Sequence, residues 1–209
     1  THASMRFGTR VRFKSVQAAR AAAAAAWCAV RAGERVGVMA YGHADQLVRP
    51  QAGPRGALAV CGAMAEWDAH AAPDRLEPLS DALARAGRVL HGASRVLLIS
   101  DGFSCDDAAR KRLLDLGRHA QVSVLVVADV LELAPATPGR YPLEHAGERC
   151  EVMLQSERQR GDFQRALGAG QARLGELARS RGLRCSSIDT TADAFDAVGG
   201  LLGTRRGAR

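Results

Sequence analysis

The stretch SRVLLISDGFS, residues 94–104, decides the fold class of this chain. It is an apolar run of strand length that ends in Ser, Asp and Gly. A second apolar run, QVSVLVVADV at residues 121–130, follows after one helical segment. Continuous apolar runs are typical of parallel strands that are buried on both faces. The pattern predicts a strand, a helix and a parallel strand, with Asp101 and Asp129 at the carboxyl edge of the sheet.

The flanking segments continue the alternation of helix and strand. Before residue 94 we predict an alanine-rich helix at 14–32, a strand at 35–42 with a short partner at 45–50, and helices at 54–70 and 78–90. After it we predict a helix at 106–119, a β-hairpin around the turn HAGE at 145–148, a helix at 162–181, a strand at 182–190 and a helix at 192–202. The chain should therefore have an α/β fold with a mainly parallel sheet flanked by helices and a β-hairpin insertion.

Composition indicates one globular domain. The chain has 209 residues, 47% of them hydrophobic and 24% charged, and we assign the domain to 1–203 and a basic disordered tail to 204–209. No apolar run approaches the roughly 20 residues that span a bilayer, and no secretory signal is recognisable. The five cysteines form no CxxC pair, which favours reduced thiols and a cytoplasmic location.

Charge and motifs limit the function classes. The formal net charge of +7 leaves a basic nucleic-acid-binding domain as an alternative, but aromatic residues make up only 4% of the chain, too few for base-stacking platforms. The sequence contains no phosphate-binding glycine loop, nucleophile elbow or paired histidine motif. We therefore expect a protein that is not an enzyme and that holds no cofactor.

Four segments resemble a known family: FGTRVRFKSVQAA at 7–19, GERVGVMAYG at 33–42, LLISDGFS at 97–104 and ADVLELAPATPGRYPLEHAGERCEV at 128–152. They are similar to the domain of unknown function 58 group, bacterial von Willebrand factor A-like proteins that are often encoded beside MoxR-type AAA+ ATPases. The resemblance implies a Rossmann-type fold. It also implies a non-enzymatic protein-interaction domain that works with such an ATPase in the assembly or maturation of other proteins.

The resemblance further implies a divalent-metal site built from an Asp-x-Ser-x-Ser loop, a threonine and a later aspartate. Ser4 matches the last serine of that loop and Asp101 matches the later aspartate, whereas His2 stands in place of the first serine and residues 77–80 contain no threonine. Two oxygen ligands are too few for Mg²⁺. We therefore expect a degenerate site without metal, in which Ser4 caps the first turn and Asp101 accepts backbone hydrogen bonds.

The resemblance also places a central strand directly ahead of the opening loop, and this sequence does not contain that strand. Without it, the sheet would have an open slot beside the strand that ends at Asp101, with unpaired backbone groups along the slot. We expect a homodimer that covers the slot through the sheet edge or the N-terminal segment.

Overall fold

The computed structural model describes residues 2–42, 46–69, 77–90, 92–145 and 148–203. A 3₁₀ turn at Ala3–Arg6 precedes the first helix. The α-helices are α1 (Lys14–Arg31), α2 (Gly53–Ala69), α3 (Leu79–Val89), α4 (Ala109–Gly117), α5 (Val130–Leu133), α6 (Glu157–Arg179) and α7 (Ala194–Leu202). The strands are β1 (Val36–Met39), β2 (Leu47–Gln51), β3 (Arg95–Ser100), β4 (Gln121–Ala128), β5 (Gly139–His145), β6 (Glu148–Leu154) and β7 (Arg184–Asp189).

The central sheet is parallel and has the order β3-β4-β7. β3 pairs with β4 from Arg95 opposite Gln121 to Ser100 opposite Val126, and β4 pairs with β7 along its other edge. Every residue of β4 after Gln121 is buried, as expected for a strand covered on both faces. The predicted α/β fold and the parallel pairing of the two apolar runs are confirmed.

Helices cover both faces of this sheet, and successive β4 side chains alternate between them. Val124 packs in a cluster with α3, α4 and α6, to which Leu113 and Leu174 contribute. Its neighbour Leu125 packs on the opposite face with α1 and α7, beside Ala21. The core therefore has two apolar layers, separated by the sheet.

Two smaller antiparallel sheets lie outside the central one. β1 pairs with β2, which confirms the predicted strand with its short partner, and β5 pairs with β6 in the predicted hairpin. The sheet of β1 and β2 packs against α2 and α1. Within the described residues, β1 is not paired with β3, so the gap expected beside β3 is present.

The main differences from the predicted elements occur at helix starts. α6 begins at Glu157, five residues before the predicted start at 162, because Ser156 and Gln159 form a capping box there. α4 begins at Ala109 rather than 106, since Asp106 precedes the helix and accepts a hydrogen bond from the Ser80 backbone N–H (3.0 Å). The short helix α5 and the 3₁₀ turn were not predicted.

Three further expectations concern the chain as a whole. All five cysteines are free thiols. No helix in the described part of the chain has the length and apolar character needed to cross a membrane. The tail predicted for residues 204–209 lies outside the described residues.

Candidate functional site

The carboxyl ends of β3 and β4 bring two aspartates to one edge of the sheet, as predicted. Asp101 follows β3 and is 2% exposed, and Asp129 follows β4 and is fully buried. Carboxylates are rarely buried this completely unless they are paired. The partners of these two aspartates define the site.

Lys14, the first residue of α1, is the central cation of the site. Its side chain is fully buried, and its Nζ lies 3.0 Å from Asp101 Oδ2 and 2.6 Å from Glu132 Oε1. The rings of Phe7 and Phe103 lie over the ammonium, with centroids 5.8 Å and 5.1 Å from Nζ. One ammonium thus joins the end of β3 to the helix after β4, under an aromatic cover that excludes water.

Glu132 also caps the start of α5. Its Oε2 accepts a hydrogen bond from the Asp129 backbone N–H (2.7 Å), which is one half of a capping box. Burial raises the pKa of the Glu132 carboxyl, and the Lys14 ammonium and the Asp129 amide act against that rise. Only 1% of Glu132 is exposed, so its carboxyl group lies in the protein interior rather than in water.

Asp129 holds the loop that precedes α1. Its carboxylate accepts hydrogen bonds from the Thr9 backbone N–H (3.1 Å), the Thr9 hydroxyl (2.6 Å) and the Thr190 hydroxyl (2.9 Å). Gln17 of α1 binds the end of β7, since its Nε2 donates to the carbonyls of Asp189 and Ala192 at 2.8 Å each. These contacts join the N-terminal loop, the end of β4 and the end of β7 into one polar network.

The turn after β3 requires glycine. Gly102 has a φ of 79°, and a Cβ at this position would lie 2.2 Å from the Gly170 carbonyl oxygen of α6. The backbone N–H of Gly102 donates to the Ser100 hydroxyl (3.0 Å), which also accepts from the Tyr41 hydroxyl. Burial raises the pKa of Tyr41, so its phenol remains a neutral hydrogen-bond donor.

The residues carried over for a metal do not fit a divalent-cation site. Asp101 contributes one carboxylate, which already binds Lys14 and accepts a hydrogen bond from the Phe103 backbone N–H (3.2 Å). Ser4 Oγ is buried and has no hydrogen-bond partner among the described residues. The described part of the chain holds no group of three or more His, Cys, Asp or Glu side chains suited to a metal.

One expectation for the N-terminal residues is wrong. Ser4 does not cap the first turn, because His2 is the N-cap residue of the 3₁₀ turn and makes no side-chain cap. His2 is 6% exposed and packs edge-on against Tyr41, with ring centroids 5.5 Å apart. Burial lowers the pKa of His2, which favours a neutral ring. The expected backbone hydrogen bond to Asp101 is confirmed.

Four large apolar side chains lie exposed in the segments that adjoin this network in sequence, two of them in the loop before α1 and one each in α5 and α7. We name this set the apolar rim: Val11, Phe13, Leu133 and Phe195, which are 59%, 52%, 41% and 51% exposed. Phe13 directly precedes Lys14, and Leu133 directly follows Glu132. Large apolar side chains that remain exposed are characteristic of protein-binding surfaces when they form a patch.

The chain matches the model of a known protein family. Residues 1–173 match the family model described as "Protein of unknown function DUF58". The chain belongs to the DUF58 family. The resemblance seen in the four sequence segments is thereby confirmed. The match includes all residues of the polar network except those at and after the end of β7, which are Asp189, Thr190 and Ala192.

A solved structure shows the same fold. The DUF58 chain is similar to the conserved hypothetical protein BatB from Bacteroides thetaiotaomicron, with a TM-score of 0.54 and 15% sequence identity. The similarity covers 97% of this chain and 93% of the BatB chain. At this identity the likeness concerns the fold alone. No curated protein matches the chain.

Proposed function

We propose that this DUF58 chain is a non-enzymatic protein-interaction domain of the von Willebrand factor A type. It binds its partner through the apolar rim at the carboxyl edge of the sheet. The partner is a MoxR-type AAA+ ATPase, and the pair acts in the assembly or maturation of other proteins. The exposure of the four rim side chains around a buried ionic network is the observation that carries this proposal.

The arrangement of titratable groups favours binding over catalysis. Lys14 pairs with both Asp101 and Glu132 in a closed, buried cluster, and Asp129 is occupied by threonine hydroxyls and backbone N–H groups. A nucleophile needs an adjacent base and access to substrate. The cluster instead fixes the segments from which rim residues project, as a rigid binding surface requires.

The test measures binding of the purified chain to a MoxR-type ATPase from the same genome, by calorimetry in the presence of ATP. We expect Phe13→Asp and Phe195→Asp to weaken binding at least tenfold, about 1.4 kcal/mol each. Leu58→Asp is the matched control, because Leu58 is 61% exposed and lies on α2. Equal weakening by all three variants, or no binding by the unaltered chain, would contradict the proposal.

Nucleic-acid binding remains the second candidate. The observation in its favour is a group of exposed cations on and just after α4: Arg110, Lys111, Arg112 and Arg118. DNA affinity measured at several salt concentrations separates the two functions, since binding through phosphate contacts weakens steeply as salt rises. We expect negligible DNA affinity at 0.15 M salt; tight, salt-sensitive binding that is lost on neutralising these four residues would favour the second candidate.

A further inference from the structure

Arginine is concentrated in the four connections that lead from a helix into β1, β3, β4 and β7. Together these connections contain eight arginines, and their one carboxylate is Glu34. They are RAGER at 31–35, RVLHGASR at 88–95, GRHAQ at 117–121 and RSRGLR at 179–184. The connection from β3 to α4, residues 101–108, has the opposite character, with three aspartates and no basic residue. The excess positive charge of the chain is therefore placed unevenly along the fold.

The structure brings the four connections together at the amino edge of the sheet. The backbone N–H of Gln121, at the start of β4, donates to the Ser94 carbonyl just before β3 (2.9 Å). Arg184 begins β7, which pairs with the other side of β4. Glu34, just before β1, approaches Arg95 of β3 to 3.8 Å. The connections thus form one continuous surface, at the opposite end of the sheet from Asp101 and Asp129.

The helices meet this surface with their carboxyl-terminal ends. α1 begins at Lys14, which contacts Asp101 at the far edge of the sheet, and α3 begins at Leu79, whose backbone N–H donates to the Ser104 carbonyl after β3 (2.8 Å). Both helices therefore run from the carboxyl edge to the amino edge and end there. A helix that reads DNA instead lies within the major groove, so helix ends and turns are poorly suited to that role.

Six exposed side chains define what we call the arginine edge: Arg31, Arg35, Arg88, Arg95, Arg118 and Arg184. The helix dipole accounts for two of them, since Arg31 and Arg88 lie in the last turns of α1 and α3, where a cation is stabilising. Arg95 and Arg184 begin strands, where no helix dipole favours a cation. The cluster therefore exceeds what the stability of the helices requires.

Little of this charge is neutralised within the described residues. The contact of Arg95 with Glu34 is long, and the two side chains are 51% and 39% exposed, so it contributes little. Arg35 donates to the Pro50 carbonyl (2.9 Å), which carries no formal charge. The guanidinium groups are thus available to an anionic partner, and phosphate accepts two parallel hydrogen bonds from one guanidinium.

Apolar side chains lie among these cations, whereas aromatic ones do not. Val89 directly follows Arg88 and is 43% exposed, and the next residue, Leu90, is partly buried. The four connections contain no Phe, Trp or Tyr, so they offer no platform on which bases could stack. Clusters of four to eight basic residues with exposed aliphatic side chains are typical of surfaces that bind anionic lipids.

We propose that the arginine edge docks on the surface of an anionic lipid bilayer. The guanidinium groups contact lipid phosphates, and Val89 enters the headgroup layer. The end of α7 belongs to the same edge, because a Cβ at Gly203 would lie 3.8 Å from Arg184 Nη1, and the following residues TRRGAR add three arginines in sequence. The carboxyl edge then faces away from the bilayer. This inference does not rest on the partner proposed for the apolar rim.

Vesicle co-sedimentation of the purified chain tests the proposal. We expect vesicles of phosphatidylcholine with about 30% phosphatidylglycerol to bind at least about tenfold more tightly than vesicles of phosphatidylcholine alone, and binding to weaken as salt rises from about 0.1 M to 0.5 M. Replacing Arg31, Arg88, Arg95 and Arg184 with Gln should weaken binding to the anionic vesicles at least about 100-fold. The matched control removes the same charge from four exposed arginines outside the edge: Arg10, Arg140, Arg149 and Arg158. It should weaken binding less than about threefold.

A single substitution keeps the test decisive if the fourfold variant fails to fold. Val89→Asp should weaken binding to anionic vesicles at least about fivefold, whereas Met153→Asp, at a 51% exposed position of β6, should have little effect. Equal affinity for both kinds of vesicle, or equal weakening by the arginine variant and its control, would overturn the proposal. Tighter binding to duplex DNA than to anionic vesicles, lost in the same arginine variant, would assign the edge to nucleic acid and overturn it as well.

Discussion

Replacing Lys14 with methionine tests whether the ionic network holds the site together. Methionine keeps most of the aliphatic volume of lysine and removes the ammonium that contacts Asp101 at 3.0 Å and Glu132 at 2.6 Å. Both carboxylates then remain buried without their cation. Removing one partner of a buried ion pair costs about 3–5 kcal/mol, because the remaining charge is uncompensated.

Urea unfolding measures this loss. With a slope of about 2 kcal/mol per molar urea, a loss of 3–5 kcal/mol lowers the midpoint by about 2 M. Lys111→Met is the matched control, since Lys111 is the other lysine of the chain and is exposed on α4. We expect the control to change the unfolding free energy by no more than about 0.5 kcal/mol.

The loss of stability caused by Lys14→Met should depend on pH in a defined direction. The pKa of Glu132 is raised in the folded state, so between the unfolded and folded values the folded chain binds more protons. Stability associated with Glu132 is therefore present at low pH and falls as pH rises through the folded pKa. Removing Lys14 removes an influence that lowers this pKa, so the loss should be larger at pH 8 than at pH 5.

A double variant identifies the uncompensated charge as the cause. Adding Glu132→Gln to Lys14→Met removes one of the two unpaired carboxylates, and we expect it to restore at least about 1 kcal/mol. The reasoning is refuted if Lys14→Met costs less than about 1 kcal/mol at pH 7, or if its cost is the same at pH 5 and pH 8.

Three further predictions concern the turn after β3, the end of β7 and the metal. Gly102→Ala should destabilise the fold by about 3 kcal/mol or more in urea unfolding, because the added Cβ meets backbone atoms at a positive φ. The control Gly62→Ala in α2 has open space around it and should stabilise the fold by about 0.5–1 kcal/mol. The Thr191 hydroxyl donates to Asp189 and lowers the pKa of that carboxyl. Thr191→Val should therefore lower the free energy of unfolding by about 0.5 kcal/mol at pH 7, a value discounted for solvent exposure. This loss should vanish as pH falls through the pKa of Asp189 in the folded state. Millimolar Mg²⁺ or Mn²⁺ should leave the melting temperature unchanged, and a dose-dependent rise that Asp101→Ala abolishes would contradict this.

The central strands were predictable because their signal is local. Residues 94–104 and 121–130 each contain a continuous apolar run followed by an aspartate, and burial on both faces of a parallel sheet requires such runs. The edge position of Asp101 and Asp129 follows directly, since parallel strands end at the same edge. Capping boxes are also local, and the pair Asp129 and Glu132 carries the spacing that predicts one, a signal that identifies α5.

The ionic network was not predictable because its members are far apart in sequence. Lys14 lies 87 residues from Asp101 and 118 residues from Glu132. At the start of an amphipathic helix, an exposed lysine is the ordinary expectation, and only the fold removes it from water. The one indication in the sequence is that Lys14 is one of only two lysines among 29 basic residues.

The helix that carries Lys14 packs closely on the central sheet. Ala21 and Ala24 are fully buried and pack in one cluster with Leu125 of β4, and their small size lets α1 lie close to the sheet. The Lys14 ion pairs join the first residue of the same helix to Asp101 after β3 and to Glu132 in α5. Because α1 is held both by these alanine contacts and by the ion pairs, the loss expected on removing Lys14 should include the positioning of this helix on the sheet.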